Sequence, residues 1–230
     1  MVFALVLAGG SGSRMGADMP KQFIDLLSKP VIYYSLNTFE KSEYIDKTVL
    51  VVPKEYISLG EEISRKYFSS RVFVTTGGSD RNESLMNAVA FIEKNFGADD
   101  ETVVVTHDGA RPFVSERMIK ENVEAMREFN ACDTCIESTD TVIEAKDSVA
   151  TSMPERKFVF RCQTPQTFKA LKLKEHYNSL SEEEKATLTD AGKIFFLKGE
   201  KVKIVKGDQN NIKITYPEDL MLARSILEQE

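Results

Sequence analysis

Four short apolar runs rich in Val and Ile punctuate the first half of the chain: FALVLA at Phe3 to Ala8, TVLVV at Thr48 to Val52, RVFVT at Arg71 to Thr75 and TVVVT at Thr102 to Thr106. Runs without polar alternation predict strands covered on both faces, and hence a largely parallel sheet between helices. The intervening segments agree, since Leu85, Ala88, Ile92 and Phe96 share one helical face, as do Ile119, Val123 and Met126 behind a Ser115 cap. The expected class is therefore α/β, a doubly wound, mainly parallel sheet of the Rossmann-like kind. With 230 residues, one unit spanning 1–230 is the default for such a fold.

The pattern changes over 138–160, where short polar segments replace the helical faces. This stretch reads as a projecting arm of strands, whose exposed edges suit pairing with a second copy in a homodimer. Beyond it the chain returns through a helix near Leu171 to Tyr177, another from Glu182 to Lys198, and a strand at Val202 to Val205. A last helix follows Pro217, with Leu220, Ala223 and Leu227 as its buried stripe.

A net charge of −6 argues against a nucleic-acid partner, which calls for a basic face, but leaves small anionic substrates open. No run approaches the ~18 apolar residues of a membrane span, and Val2 to Ala8 enters a glycine loop without a basic leader, as a first strand does and a signal peptide does not. Three cysteines, Cys132, Cys135 and Cys162, fit a reducing cytoplasm. The CxxC spacing of Cys132 and Cys135 falls in a strand-like run without the helix start of a redox pair, so structural thiols are expected.

In such sheets ligands gather beyond the carboxyl ends of strands, near the point where strand order reverses. Three loops occupy these ends. LAGGSGSRMG at Leu7 to Gly16 offers glycines whose backbone can approach a triphosphate, backed by Arg14 and Lys21. It is neither a dinucleotide fingerprint, because counting from Gly10 the last glycine position is Met15, nor a Walker loop, because no Gly-Lys-Ser/Thr follows. The second, TTGGSDRNES, sets Gly77, Gly78, Arg81 and Ser84 at a helix start, where amides and dipole favour an anion. In the third, THDGARPF, Asp108 stands where a carboxylate can hold Mg²⁺. His107 reads as a packed ring, and Arg111 is placed either to pair with Asp108 or to touch substrate. This inventory suits substitution at phosphorus, which depends on positioning and charge neutralisation. Two histidines and no GxSxG elbow disfavour a serine hydrolase. An NAD(P)-dependent oxidoreductase and a non-catalytic nucleotide-binding module are the rival classes.

LAGGSGSRMG with PKQF, GGSDRNES, THDGARPF, CQTPQTF, LTDAGK and NIKITYPEDL, in this order over nearly the whole chain, resemble the methylerythritol-phosphate and ribitol-5-phosphate cytidylyltransferases. The resemblance implies a dimer joined through the arm and Mg²⁺-dependent transfer of CMP from CTP to an alcohol phosphate. It assigns Leu7, Ala8, Gly9, Gly10, Ser11, Gly12, Gly78, Asp80, Arg81, Ser84, Gly109 and Arg111 to the nucleotide. Arg14 and Lys21 would stabilise charge on the phosphates, Asp108 would help hold the metal, and Arg156 and Lys213 would position the acceptor phosphate. Thr141 and Thr189 occupy acceptor-pocket positions. For Lys213 the residues alone allow a solvated lysine on an edge strand. The methylerythritol branch carries Lys in the arm where Ile143 stands here, followed by Glu144, so the stretch ESTDTVIEA looks closer to the ribitol-5-phosphate branch of wall teichoic acid and capsule synthesis.

Overall fold

A computed structural model of the chain describes residues 1–10, 19–68 and 71–229. The elements run β1 (Val2–Leu7), β2 (Asp25–Leu26), β3 (Lys29–Pro30), α1 (Val31–Lys41), β4 (Lys47–Val52), α2 (Ile57–Tyr67), β5 (Val72–Thr76), α3 (Arg81–Phe96), β6 (Val103–Asp108) and α4 (Glu116–Ala125). They continue as β7 (Ala131–Glu137), β8 (Glu144–Lys146), β9 (Val149–Ser152), β10 (Phe160–Lys169), α5 (Ala170–Asn178), α6 (Glu182–Ala186), α7 (Gly192–Leu197), β11 (Val202–Lys206) and α8 (Pro217–Leu227).

Seven strands form one sheet in the order β11-β7-β10-β6-β1-β4-β5. The expected mainly parallel sheet is present: β1 pairs in parallel with β4 and β6, β4 with β5 and β11 with β7. β10 alone runs antiparallel, to β6 and to β7. The strands are buried on both faces because successive side chains enter opposite helical layers. Ala4 and Val6 of β1 join a core with Ile32, Leu36 and Phe39 of α1 and Met118 and Ile119 of α4. Phe3, Leu5 and Leu7 join one with Leu85, Val89 and Ile92 of α3 and with Leu173 and Phe195.

From β1 the chain adds β4 and β5 on one side and then crosses to β6 on the other, so strand order reverses between β1 and β6. Leu7 and Asp108 lie opposite each other there, at the carboxyl ends of both strands. This register places the first and third loops side by side.

Two expectations need correction. The span Glu182 to Lys198 is two short helices, α6 and α7, because Asp190 accepts a hydrogen bond from Gly192 N at 2.7 Å and begins a new helix there. Lys213 lies outside any strand; its segment is a strap pinned by Ile214 N donating to Ala110 O at 2.9 Å.

The arm is a hairpin of β8 and β9, whose turn residues Asp147 and Ser148 both have positive φ, as a two-residue hairpin turn requires. It departs after β7 and returns on β10, and those two strands pair with each other. The CxxC spacing makes no pair: residues three apart on a strand face opposite ways. Cys132 is buried against Asn122, and burial pushes its thiol up to about 12. Cys135 instead meets the cross-strand Cys162, with 3.6 Å between the sulfurs.

Candidate active site

The three loops border a cavity of about 250 Å³ lined by Leu7, Gly9, Gly10, Lys21, Gly78, Asp80, Arg81, Ser84, Asp108 and Lys213 among others. Directly after the first loop, Lys21–Phe23 forms a 3-10 turn, and Gln22, buried, donates through Nε2 to the carbonyls of Ala8 and Gly10. That clamp fixes the backbone just past β1 and puts the Lys21 side chain on the cavity wall. Arg14, Ser11 and Gly12 lie outside the described residues.

The second loop is built on the start of α3. Asp80 caps the helix, accepting from Glu83 N at 2.8 Å, while Ser84 Oγ accepts from Gly78 N at 2.9 Å and donates to Asp80 O at 2.7 Å. A side chain at Gly77 would stand 2.7 Å from Ser84 Oγ, and one at Gly78 would collide with Glu83. The glycines are there for the close approach of loop to helix, which leaves the positive end of α3 facing the cavity.

The third loop carries the charge. Asp108 meets Arg81 Nε at 3.3 Å through Oδ1 and Lys213 Nζ at 2.8 Å through Oδ2, with Arg111 Nε 4.0 Å away. Burial alone would raise its pKa, but Arg81, Lys213 and Arg111 together override burial and hold the carboxyl well below the usual range. Arg111 therefore faces Asp108 and donates through Nη1 to Asn211 O at 2.7 Å. Asn211 in turn donates to Thr164 O at 2.7 Å, and with Ile214 it fixes the strap on both sides of Lys213.

Thr164 Oγ1 accepts from Asp108 N at 3.1 Å and lies 2.9 Å from His107 Nδ1. The hydroxyl has one proton, so it donates to Nδ1, and Nε2–H points to Arg111 O at 2.9 Å. Burial lowers the pKa of this histidine to about 4. His107 is thus a neutral, doubly bonded structural ring, as the sequence suggested. Gln22, Thr164, Gln166 and Asn211 were not singled out from sequence; their only signal is polarity inside PKQF, CQTPQTF and NIKIT.

Two guanidinium donors in this cluster, Arg81 Nη1 and Arg111 Nε, are buried without a hydrogen-bond partner. A buried donor left unsatisfied costs about 1–3 kcal/mol. Orphans beside a cationic cavity and a helix N-terminus mark a place for an anionic ligand.

Gly109 stands beside the cavity, its N donating to Leu7 O at 2.8 Å, where a Cβ would press on that carbonyl at 3.2 Å. Thr141 and Thr189 are exposed, the first on the arm. Arg156 borders a second cavity of about 880 Å³ at the arm's base, where it donates to Thr139 O at 3.3 Å. Among the described residues, Arg156 and Lys213 therefore line different cavities.

A sequence profile of 2-C-methyl-D-erythritol 4-phosphate cytidylyltransferase (IspD) matches residues 2–229. The chain belongs to this cytidylyltransferase family. It is 41% identical over 231 residues to the ribitol-5-phosphate cytidylyltransferase of Lactiplantibacillus plantarum, covering 100% of this chain and 99% of that protein. Among solved structures, the 4-diphosphocytidyl-2C-methyl-D-erythritol synthase of Anaerococcus prevotii superposes with a TM-score of 0.83 at 30% identity, over 99% of this chain and 96% of that one. The IspD of Francisella tularensis shares the fold, with a TM-score of 0.81 at 24% identity over 97% and 98% of the two chains. As a cytidylyltransferase the protein is a nucleotidyl-transferring enzyme, and the oxidoreductase reading falls.

Proposed function

We propose that the enzyme transfers CMP from CTP to ribitol 5-phosphate, giving CDP-ribitol and pyrophosphate, a precursor step for wall teichoic acid or capsule. The observation that carries the reading is the identity along essentially the full length to a ribitol-5-phosphate cytidylyltransferase. The cationic cavity with its orphaned guanidinium donors supports the nucleotide half.

The attacking group is an oxygen of the acceptor phosphate, already ionised at neutral pH. It forms a bond to the α-phosphorus of CTP while the bond to the bridging α–β oxygen breaks, and pyrophosphate leaves. No general base is needed, which agrees with the confinement of His107. What the protein supplies is charge: Lys21 and Arg81 line the cavity, and by the family resemblance Arg14 would add to it. At 4 Å and an effective dielectric of about 20, one such unit-charge pair contributes on the order of 4 kcal/mol, and more of it counts where charge grows on the leaving group. Lys213 positions the acceptor phosphate.

Asp108 fits a magnesium site: it is a hard, ionised carboxylate on the cavity wall, and Mg²⁺ takes one or two carboxylates together with water and phosphate oxygens. Both its oxygens already meet cations, so the fit is to an ion that arrives with the triphosphate. When bound, the ion neutralises phosphate charge.

The arm exposes Ile143, Val149, Met153 and Phe158, apolar side chains that a second copy would cover. A homodimer through the arm would carry Arg156 toward the partner's acceptor site, since within its own chain it lines a different cavity from Lys213. Free thiols and a nucleotide substrate fit the cytoplasm, and among the described residues no helix is long and apolar enough to cross a membrane.

The test is pyrophosphate release with CTP and Mg²⁺ against ribitol 5-phosphate, methylerythritol 4-phosphate, glycerol 3-phosphate and sugar 1-phosphates. Ribitol 5-phosphate should give the highest kcat/KM; a preference for any other acceptor overturns the assignment. Lys21→Ala should lower kcat by about 10²–10³ and change CTP affinity far less. Equal losses in both would remove it from transition-state stabilisation.

A further inference from the structure

Gln166 on β10 joins the cavity to a second charged cluster that the reaction leaves unused. Its Oε1 accepts from Arg81 Nη2 at 2.8 Å, and its Nε2 lies 2.7 Å from Asp133 Oδ1 and 2.8 Å from both carboxylate oxygens of Asp190. An amide has one accepting end and one donating end. Turned by half a rotation, Gln166 would set its NH₂ against a guanidinium and its oxygen against two carboxylates. The two aspartates therefore decide which end faces Arg81.

Arg81 is then held at two nitrogens, Nε on Asp108 and Nη2 on Gln166, which fixes the guanidinium plane and leaves Nη1 as the orphan. Gln166 itself is 1% exposed and cannot be re-paired by solvent.

We propose that Gln166, oriented by Asp133 and Asp190, is a positioning residue that sets Arg81 Nη1 for the bound nucleoside triphosphate. The proposal rests on the reading of this cavity as the nucleotide site. The arrangement tolerates one proton on the carboxyl pair, because an acceptor oxygen still remains for Nε2. That matters here: burial and the neighbouring Asp190 push Asp133 up to about 7. The other charged or titratable groups near the pair are Arg81 from α3, Cys135 from β7 and Cys162 from β10.

The experiment is a double-mutant cycle. Gln166→Met should raise both the Kd of CTP by calorimetry and the KM for CTP about 10-fold, and leave the KM for the acceptor within about twofold. In an Arg81→Ala background the same change should add less than about twofold, because the residue through which it acts is gone. Additive penalties overturn the proposal, since a merely structural role for Gln166 would persist without Arg81. Solvent exchange of the Arg81 Nε–H, followed by ¹⁵N NMR without ligand, should quicken in Gln166→Met; unchanged exchange also overturns it. If Gln166→Met fails to fold, the double variant Asp133→Asn/Asp190→Asn, which removes both carboxylates and lets the amide turn, must show the same quickened exchange. Failure of wild type to bind CTP would sink the nucleotide reading, and the exchange measurement would still decide whether Gln166 orients Arg81.

Discussion

His107 and Asp133 are both buried and titrate in opposite directions, so the pH dependence of stability turns on their difference. His107 falls from 6.5 to about 4 on folding. In that window the unfolded chain binds more protons, and stability is lost as pH falls. Asp133 rises from 3.8 to about 7. Here the folded chain binds more protons, and stability is lost as pH rises. Between roughly pH 4 and 6.5 the two slopes, each at most about 1.4 kcal/mol per pH unit, oppose one another. Asp133→Asn removes one of them. Its thermal midpoint, followed by calorimetry, should climb several degrees further than wild type across that range, at about 2–4 °C per kcal/mol; parallel curves would refute the assignment. His107 could be read from sequence as a packed ring because it ends an apolar strand. Asp133 could not, because the residue that perturbs it, Asp190, is distant in the chain and meets it only after β7 and the start of α7 are in place.

Elements show the same division between local and tertiary signals. The start of α3 was legible, since Asp80 and Ser84 stand where a cap and its partner belong. Asp80→Ala should cost about 1 kcal/mol in a urea titration, and because its carboxylate accepts from Glu83 N at the start of α3 on the cavity wall, CTP binding should weaken while acceptor KM holds. An unchanged CTP affinity would mean the helix start plays no part in binding. The hairpin of β2 and β3 was not legible: its turn residues, Leu27 and Ser28, have positive φ without the Asn-Gly or Asp-Gly that signals such turns. It holds instead by tertiary contact, with Tyr34 donating to Leu26 O at 2.6 Å and Leu26 buried against Ala223 of α8. The strand β10 was similarly hidden, because Pro165 argues against a strand interior. The structure accommodates it at an irregularity in pairing between Cys162 and Gln166, and Asn211 takes the Thr164 carbonyl there.

For the whole molecule, the separation of Arg156 from Lys213 makes the dimer a testable matter of catalysis. If each arm serves its partner, Arg156→Ala and Lys213→Ala should each be nearly inactive alone. Mixed under conditions that exchange subunits, they should regain activity, because one site of each heterodimer then carries both wild-type residues; no recovery in a confirmed heterodimer would place Arg156 in its own protomer's site. Phe158→Glu, on an arm side chain 70% exposed, should shift sedimentation toward monomer and leave CTP binding intact. The proposed nucleotide half was the more legible from sequence because glycines and cations at strand ends announce themselves, whereas the proposed acceptor half would depend on where a second chain lies. The arm also leaves the sheet on β7 and re-enters it on the adjacent β10, so its two ends are tied side by side by the sheet itself. An excursion closed at its root can lengthen, shorten or be exchanged without shifting the register of any strand that carries Asp108, Gln166 or the glycine loop. If the arm serves the acceptor as proposed, such a chain can change the alcohol it serves by revising one insertion, while the cavity at the strand ends is inherited untouched.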